Sequence, residues 1–343
     1  MKRLFAISGV TGMTGNELVR QILATERDET KIIGFDNFYA SSIDTVKDCI
    51  HDERFEFFEY DLNNKEHMLD FETRVNKVKE MFDEVVYINC AAVVHTEHFY
   101  HVYETFKTNV EGMNAFMQQA IRVGAQKFIN CSTSEVYSMN SWNEYGGVKE
   151  DAFLTLANAE HSQRTSYAVG KLLTEFFMKD AVDSKKILGC SIRFANVYSK
   201  DEKYPKHIIP FIINSLKDNG KVVLLENSKK NKRTFLNNYD SCSAVLALLR
   251  TDSALDGSVY NVATDEEISI IDLVCLCATK MGISDPIIEF KGYRESDPER
   301  RVLSTEKIKS RTNWTPKVCL NHGLDECIKY HLNIVDSKNT ARV

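Results

Sequence analysis

Residues 4–24 set the first constraint on the fold. The apolar run Leu4–Ser8 feeds without a spacer into Gly9-Val-Thr-Gly12-Met-Thr-Gly15, and Gly15–Ala24 then carries Leu18, Ile22 and Leu23 on one side of a helix. A strand that turns through glycines straight into a helix opens a strand–helix–strand unit. The alternation continues. Ile32–Phe35, Phe55–Tyr60, Glu84–Asn89, Lys127–Cys131 and Gly189–Phe194 read as strands. One helix carries Val110, Met113, Phe116, Met117 and Ala120, and another covers Ser166–Met178. The strands are apolar along their length instead of alternating, which predicts a parallel sheet covered on both faces, an α/β doubly wound fold.

After about residue 200 the pattern loosens, and all five prolines fall there, at 205, 210, 286, 298 and 316. The expected organisation is a sheet domain over residues 1–178, rejoined by segments near 189–240. A smaller C-terminal α/β substrate domain would occupy most of 179–333, with a polar tail over 334–343. The 343 residues carry a net charge of −6, so electrostatics supply no reason to expect a nucleic acid or an anionic membrane as partner. The run Lys229-Lys230-Asn231-Lys232-Arg233 is local and reads mostly as a solvated loop. No stretch of about 18 apolar residues is present. The apolar part of Met1–Ser8 is too short for a signal peptide and reads as a first strand. None of the nine cysteines forms a Cys-x-x-Cys pair, and several lie in apolar runs, so a reducing cytoplasm is expected.

The glycine turn also has a chemical reading. Tight bending, close backbone approach and the free N–H groups of a helix N-terminus together suit a pyrophosphate. Gly9, Thr11, Gly12, Met13, Thr14 and Gly15 are the candidate contacts. An acid at the end of the second strand completes the pattern: Asp36 is placed to accept hydrogen bonds from ribose hydroxyls, with Asn37 beside it. Asn37-Phe38-Tyr39 brings no Arg or Lys close behind Asp36, so NAD is favoured over NADP. This predicts a Rossmann-type dinucleotide site.

Tyr167-Ala-Val-Gly-Lys171 sets a phenol and an ammonium on one face of a helix. A tyrosine is a poor base at neutral pH unless neighbouring positive charge favours its phenolate, which Lys171 and a nicotinamide ring would both do. Lys171 can also hold the nicotinamide ribose. Thr133 in Ser132-Thr-Ser-Glu-Val-Tyr137, at a strand end, supplies a hydroxyl beside the tyrosine.

The Gly-x-x-Gly-x-x-Gly spacing resembles the short-chain dehydrogenase/reductase superfamily. Asp61-Leu62 resembles its adenine-bracketing pair, Asn89-Cys-Ala91-Ala92 its element beside the cofactor, and Asn109-Val-Glu-Gly112 its Asn helix start. Ser132-Thr-Ser-Glu-Val-Tyr137 with Tyr167-x-x-x-Lys171 resembles the extended members, the NAD-dependent nucleotide-sugar epimerases and dehydratases. Arg193-Phe-Ala-Asn196-Val-Tyr198, Arg233-Thr-Phe-Leu, Tyr260-Asn-Val262, Arg294-Glu-Ser-Asp297-Pro298 and Asn313-Trp-Thr-Pro316 resemble later family elements. Departures stand at Ser138, at Ser304, in Glu226–Arg233 and in an insertion over 139–161.

The resemblance implies oxidation of a nucleotide diphosphate sugar at C4, with Thr133, Ser134, Glu135, Tyr167 and Lys171 catalytic. Asn196, Arg233, Arg294 and a substrate-side His95 would hold the substrate. His95, His98 and His101 are spaced by three, but a metal site is not expected. Glu135 tilts the reaction toward a 4,6-dehydratase. A 4-epimerase, then a decarboxylase or a C4 dehydrogenase, are the alternatives, and a non-catalytic NAD-sensing regulator is the reading from another class. The resemblance also implies a homodimer through the Tyr167 helix.

Overall fold

A computed structural model describes residues 1–26, 30–95, 99–140, 146–163, 165–200, 202, 204–295 and 297–333. His98 and the tail expected over 334–343 lie outside the described residues. Through residue 200 the strands are β1 (Arg3–Ser8), β2 (Thr30–Asp36), β3 (Phe55–Glu59), β4 (Glu84–Asn89), β5 (Lys127–Thr133), β6 (Leu188–Phe194) and the short β7 (Val197–Tyr198). Helices α1 (Met13–Thr25), α2 (Lys65–Val78), α3 (Val102–Phe106), α4 (Met113–Val123) and α5 (Thr165–Asp183) lie between them. The second half adds α6 (Ile208–Asn219), β8 (Lys221–Leu224), β9 (Lys232–Thr234), β10 (Leu236–Asn237), α7 (Asn238–Leu249) and β11 (Asp256–Val262). It ends with β12 (Glu267–Ser269), α8 (Ile270–Lys280), β13 (Ile287–Phe290), β14 (Arg300–Arg301), α9 (Glu306–Thr312) and α10 (Leu320–His331).

Among the described residues seven strands form one sheet in the order β11-β6-β5-β4-β1-β2-β3, and every neighbouring pair in it is parallel. The doubly wound Rossmann-type α/β fold expected from the sequence is thus present. Its inner strands are apolar on both faces because both are covered. Phe5, Ile7, Val86 and Ile88 pack against Leu18, Val19 and Ile22 of α1 and Val245 and Leu248 of α7. On the other face Leu4, Ala6, Phe35 and Tyr87 meet Phe71 of α2, Phe116 and Met117 of α4 and Met178 of α5. Strand order reverses where β1 lies between β2 and β4, and in such sheets the crevice outside the carboxyl ends at that point binds ligands.

Helix α1 begins at Met13, two residues before the expected start, because Gly12 serves as its N-cap. Helix α5 runs past Met178 to Asp183, its last turn closed by a Lys179–Asp183 ion pair one turn apart. Residues 238–262, from the loosely patterned half, lie with the sheet: α7 packs on α1, and β11 forms the edge beside β6. A separate core joins Ile209, Ile212 and Ile213 of α6, Leu273 and Val274 of α8, and Leu324 and Ile328 of α10. Among the described residues no helix is long and apolar enough to cross a membrane.

Candidate active site

A cleft of about 1050 Å³ follows the carboxyl ends of the strands and continues between the sheet and the α6–α8–α10 unit. Its first part is built by the glycine turn. Gly9 takes φ +73°, and a Cβ there would come within 2.6 Å of Ala91 N, so only glycine lets the two strand ends approach. A Cβ on Gly15 would overlap Gly9 O, which fixes α1 hard against the turn. No side chain caps α1, and its first-turn residues Met13, Thr14 and Gly15 line the cleft with Gly9, Thr11 and Gly12. Uncapped first-turn N–H groups suit an anion.

Asp36 ends β2 with both oxygens engaged, one accepting from Thr11 N at 3.1 Å and the other from Phe38 N at 2.9 Å. A carboxylate has about four acceptor sites, so capacity for ribose hydroxyls remains. Asn37, Asp61, Leu62, Ala91 and Ala92 also line this part of the cleft. Asn109 does not. It sits in a π-helical turn, accepts from Val93 N at 2.7 Å and donates to Val93 O at 3.0 Å, pinning the loop that carries Ala91 and Ala92. The glycine cradle, the uncapped helix and Asp36 fit a dinucleotide.

Beyond it, Thr133 closes β5 and Tyr167 and Lys171 reach over from α5. The Thr133 hydroxyl lies beside the Tyr167 phenol and favours its phenolate, and Thr133 Oγ1 accepts from Glu135 N at 3.2 Å. Phe99 stacks on the Tyr167 ring with centroids 4.2 Å apart. Lys171 is buried and donates to Cys131 O at 2.8 Å. Burial holds its ammonium down to about 8. Burial, and next the charge of Glu135, push the Tyr167 phenol above its ordinary value, with the Thr133 hydroxyl opposing them. In the chain without its cofactor desolvation outweighs any pull from Lys171, which is turned to a backbone carbonyl. Ser134 is buried in the 3₁₀ turn after β5 and does not line the cleft, whereas Ser132, Thr133 and Glu135 do.

A buried network stiffens this corner from behind. Ser132 donates to Glu175 at 2.6 Å, Arg193 pairs with Glu175 at 2.6 Å and donates to Tyr137 OH at 2.6 Å, and Tyr137 donates to Asn261 at 2.9 Å. Asn261 then donates to Val148 O and Ser304 O, tying down the described part of the insertion. A satisfied buried network of this kind fixes one arrangement of its members.

The far end of the cleft holds the substrate-side candidates. His95 stacks on Tyr204 with ring centroids 3.8 Å apart, and His207, paired with Glu202, stands edge-on to Tyr204. His101 faces Glu104 at the head of α3, and among the described residues no group of three or more His, Cys, Asp or Glu could hold a metal. Asn196, at φ 42°, lines the cleft with its buried Nδ2 lacking a partner. Arg233 is buried and paired with Asp297 at 3.0 Å. Burial, then the charge of Arg301, lower its guanidinium to about 10. Arg294 is exposed at the rim, its backbone tied to Asn227.

One residue was missed from sequence. Arg301 on β14 lies beside Arg233 on β9 and forms an ion pair with Glu135. The only signal was its place three residues after Pro298, within Asp297-Pro298-Glu-Arg-Arg. Arg233, Arg301, Arg294 and Lys206 gather at this end, with Asp297 and Glu135 paired to two of the guanidinium groups. Guanidinium pairs suit a diphosphate.

Residues 6–327 match the family model for GDP-mannose 4,6 dehydratase. The chain belongs to that family. The extended short-chain dehydrogenase/reductase resemblance expected from the sequence is therefore borne out. A relative within reach of this family, human dTDP-D-glucose 4,6-dehydratase, is 27% identical over 346 residues, covering 97% of this chain and 92% of its own. Two solved structures share the fold. DesIV, a dTDP-glucose 4,6-dehydratase of Streptomyces venezuelae solved with NAD bound, superposes with a TM-score of 0.81 at 20% identity over 96% of this chain and 97% of its own. The UDP-glucuronic acid 4-epimerase of Bacillus cereus, in complex with UDP-glucuronic acid and NAD, gives 0.81 at 20% identity over 97% and 100%.

Proposed function

We propose that the chain is an NAD-dependent nucleotide-sugar 4,6-dehydratase. The observation that carries this reading is Glu135, which faces the cleft between the Thr133–Tyr167 pair and Arg301. A dehydratase needs one group at the C4 hydroxyl and another at the C5 hydrogen, and Tyr167 and Glu135 provide the two. When bound, NAD would supply hydride transfer from C4 and back to C6. Tyr167 takes the C4 hydroxyl proton, assisted by the Thr133 hydroxyl, and Lys171 keeps its donors in the same corner. Glu135, oriented by Arg301, removes the C5 proton and passes it to the C6 hydroxyl, which leaves as water; the proton taken by Tyr167 balances the one that C5 regains.

Gly9, Thr11–Gly15, Asp36, Asn37, Asp61, Leu62, Ala91 and Ala92 would contact the dinucleotide, with Asn109 acting through Val93. His95, Asn196, Arg233 and Arg294 would hold the sugar nucleotide. In this reading residues 1–194 and 238–262 serve the cofactor, and most of the remainder through 333 serves the substrate.

The partner of the protein is a second copy of itself. Val169, Leu173 and Phe176 are exposed at i, i+4 and i+7 on α5, beside exposed Tyr103 and Phe106 on α3. An apolar stripe of this kind on a surface helix is what a helix-pair interface buries. All nine cysteines are free, which suits a reducing, cytoplasmic setting.

The test is incubation of the purified protein with UDP-, GDP-, CDP- and dTDP-sugars, followed by mass spectrometry. Loss of one water is the expected result. Unchanged mass with altered retention would mean epimerisation, loss of carbon dioxide would mean decarboxylation, and failure to alter any sugar nucleotide would overturn the enzymatic reading.

A further inference from the structure

Two thiols lie where the cofactor part of the cleft meets the catalytic corner. Strands β4 and β5 pair Asn89 with Asn130, and Cys90 and Cys131 each follow by one residue, so they are neighbours across adjacent parallel strands. Both line the cleft. Adjacent strands run about 4.8 Å apart, within the range of about 4.4–6.8 Å between Cα atoms that a disulfide spans. Cys90 is half-buried and opens to the cleft, whereas Cys190 and Cys242 nearby are fully buried and stand outside its lining.

We infer that Cys90 and Cys131 form a dithiol modification site, oxidised by small disulfides to an intramolecular bond that blocks the active site and is shielded by bound dinucleotide.

The two sulfurs are not equivalent. Cys90 and the nearby buried Lys171 ammonium favour the Cys131 thiolate and hold it below the ordinary thiol value, while Cys131 and burial push Cys90 well above it. A thiol poised toward thiolate next to a resolving partner is the arrangement that oxidises selectively. The Cys131 thiolate attacks one sulfur of a disulfide such as oxidised glutathione, forming a mixed disulfide and releasing one thiolate. Cys90 then gives up its proton and attacks Cys131 Sγ, expelling the second thiol. One external disulfide is reduced to two thiols, and the protein pair is oxidised by two electrons.

The bond would act on turnover through what these residues hold. Cys131 O is the acceptor for Lys171, and Cys90 leads directly into Ala91 and Ala92. Turning the two side chains into a disulfide re-sets the backbone at Cys131 that receives the Lys171 bond, and a displacement of about 1 Å in a catalytic corner costs on the order of a hundredfold in rate.

The test treats the full-length protein with oxidised glutathione, with and without saturating NAD. Intact mass and peptide mapping follow the thiols. The expected result is a loss of about 2 Da, the two thiol hydrogens, with a cross-linked Cys90–Cys131 peptide. NAD should slow its formation, turnover should fall at least about tenfold, and dithiothreitol should restore it. The cross-link readout does not depend on which sugar nucleotide is turned over. In Cys90→Ser the glutathione adduct should persist on Cys131, because nothing resolves it. The inference is overturned if the pair stays reduced while exposed Cys275 and Cys319 react, if the pair oxidises equally fast under saturating NAD, or if the cross-linked protein turns over unchanged.

Discussion

Glu135 and Arg301, 166 positions apart in the chain, are joined by an ion pair beside the Thr133–Tyr167 contact. Arg301 is itself buried, on a two-residue strand held against β9. The pair gives the carboxylate at the end of β5 one orientation. If Glu135 is the base, Glu135→Gln should lower dehydration by about 10²–10⁴-fold, with oxidation at C4 still detectable by absorbance of the reduced nicotinamide. Arg301→Lys should fall between that variant and the parent, because an ammonium lacks the planar fork. Unchanged product formation in Glu135→Gln would remove it from the reaction.

Tyr167 is predicted to be the proton acceptor at C4. Tyr167→Phe should abolish turnover, with a loss of about 10²–10⁴-fold, and leave NAD binding intact by equilibrium titration. Burial and then Glu135 hold the phenol above its ordinary value, so C4 oxidation should speed up as pH rises. Removing the Glu135 charge lowers that value, so the rise in Glu135→Gln should move to lower pH. A profile that does not move would show the carboxylate is not felt at the phenol.

Lys171 gives a stability prediction that needs no substrate. Its value falls from 10.5 to about 8 in the folded chain because burial disfavours the ammonium. Between those limits the unfolded chain keeps a proton that the folded chain has released, so stability from this group rises with pH from about 8 to 10.5. Below about 8 both states are protonated and that gain is lost. Urea titrations of the protein without cofactor should show the parent gaining up to about 3 kcal/mol relative to Lys171→Met across that window. Parallel curves would mean that the lysine is not desolvated.

The apolar stripe on α5 is expected to be covered in solution. Phe176, at 64% exposure, is its most open member. Phe176→Glu should convert a dimer to a monomer in sedimentation velocity while the far-ultraviolet circular dichroism is unchanged. A parent protein that is already monomeric at micromolar concentration would refute the interface.

The parts of this molecule legible in its sequence are those fixed by local constraint. Gly9 and Gly15 could be read because the backbone there admits no Cβ. Of the first six sheet strands, β1, β2, β4, β5 and β6 could be read because both their faces are buried, and the edge strand β3 from its phenylalanines. Tyr167, Lys171 and Thr133 followed from helix spacing and a strand end. What stayed hidden depends on long-range pairing. Arg301 joins the site only because β14 lies beside β9, and Tyr204 matters only because His95 lands on its ring. The direction of Lys171 and the backbone role of Asn109 are set by packing that spacing does not encode. Strand β11 was legible only at its end, where Tyr260-Asn-Val262 resembles the family's Tyr-Asn-Val strand; its start was masked by polar Asp256-Gly-Ser and by a register shift between Asp256 and Val259.

That late strand governs how the chain can be assembled. Strand β6 has β5 on one flank and β11 on the other, and β11 arrives only after α6 and α7. A nascent chain that has emerged only through residue 200 therefore holds β6 as an open edge, with unpaired backbone groups able to recruit another strand. The closing of the sheet waits for residues 256–262, so a fragment ending before them should aggregate even though it contains Gly9–Gly15, Thr133, Tyr167 and Lys171.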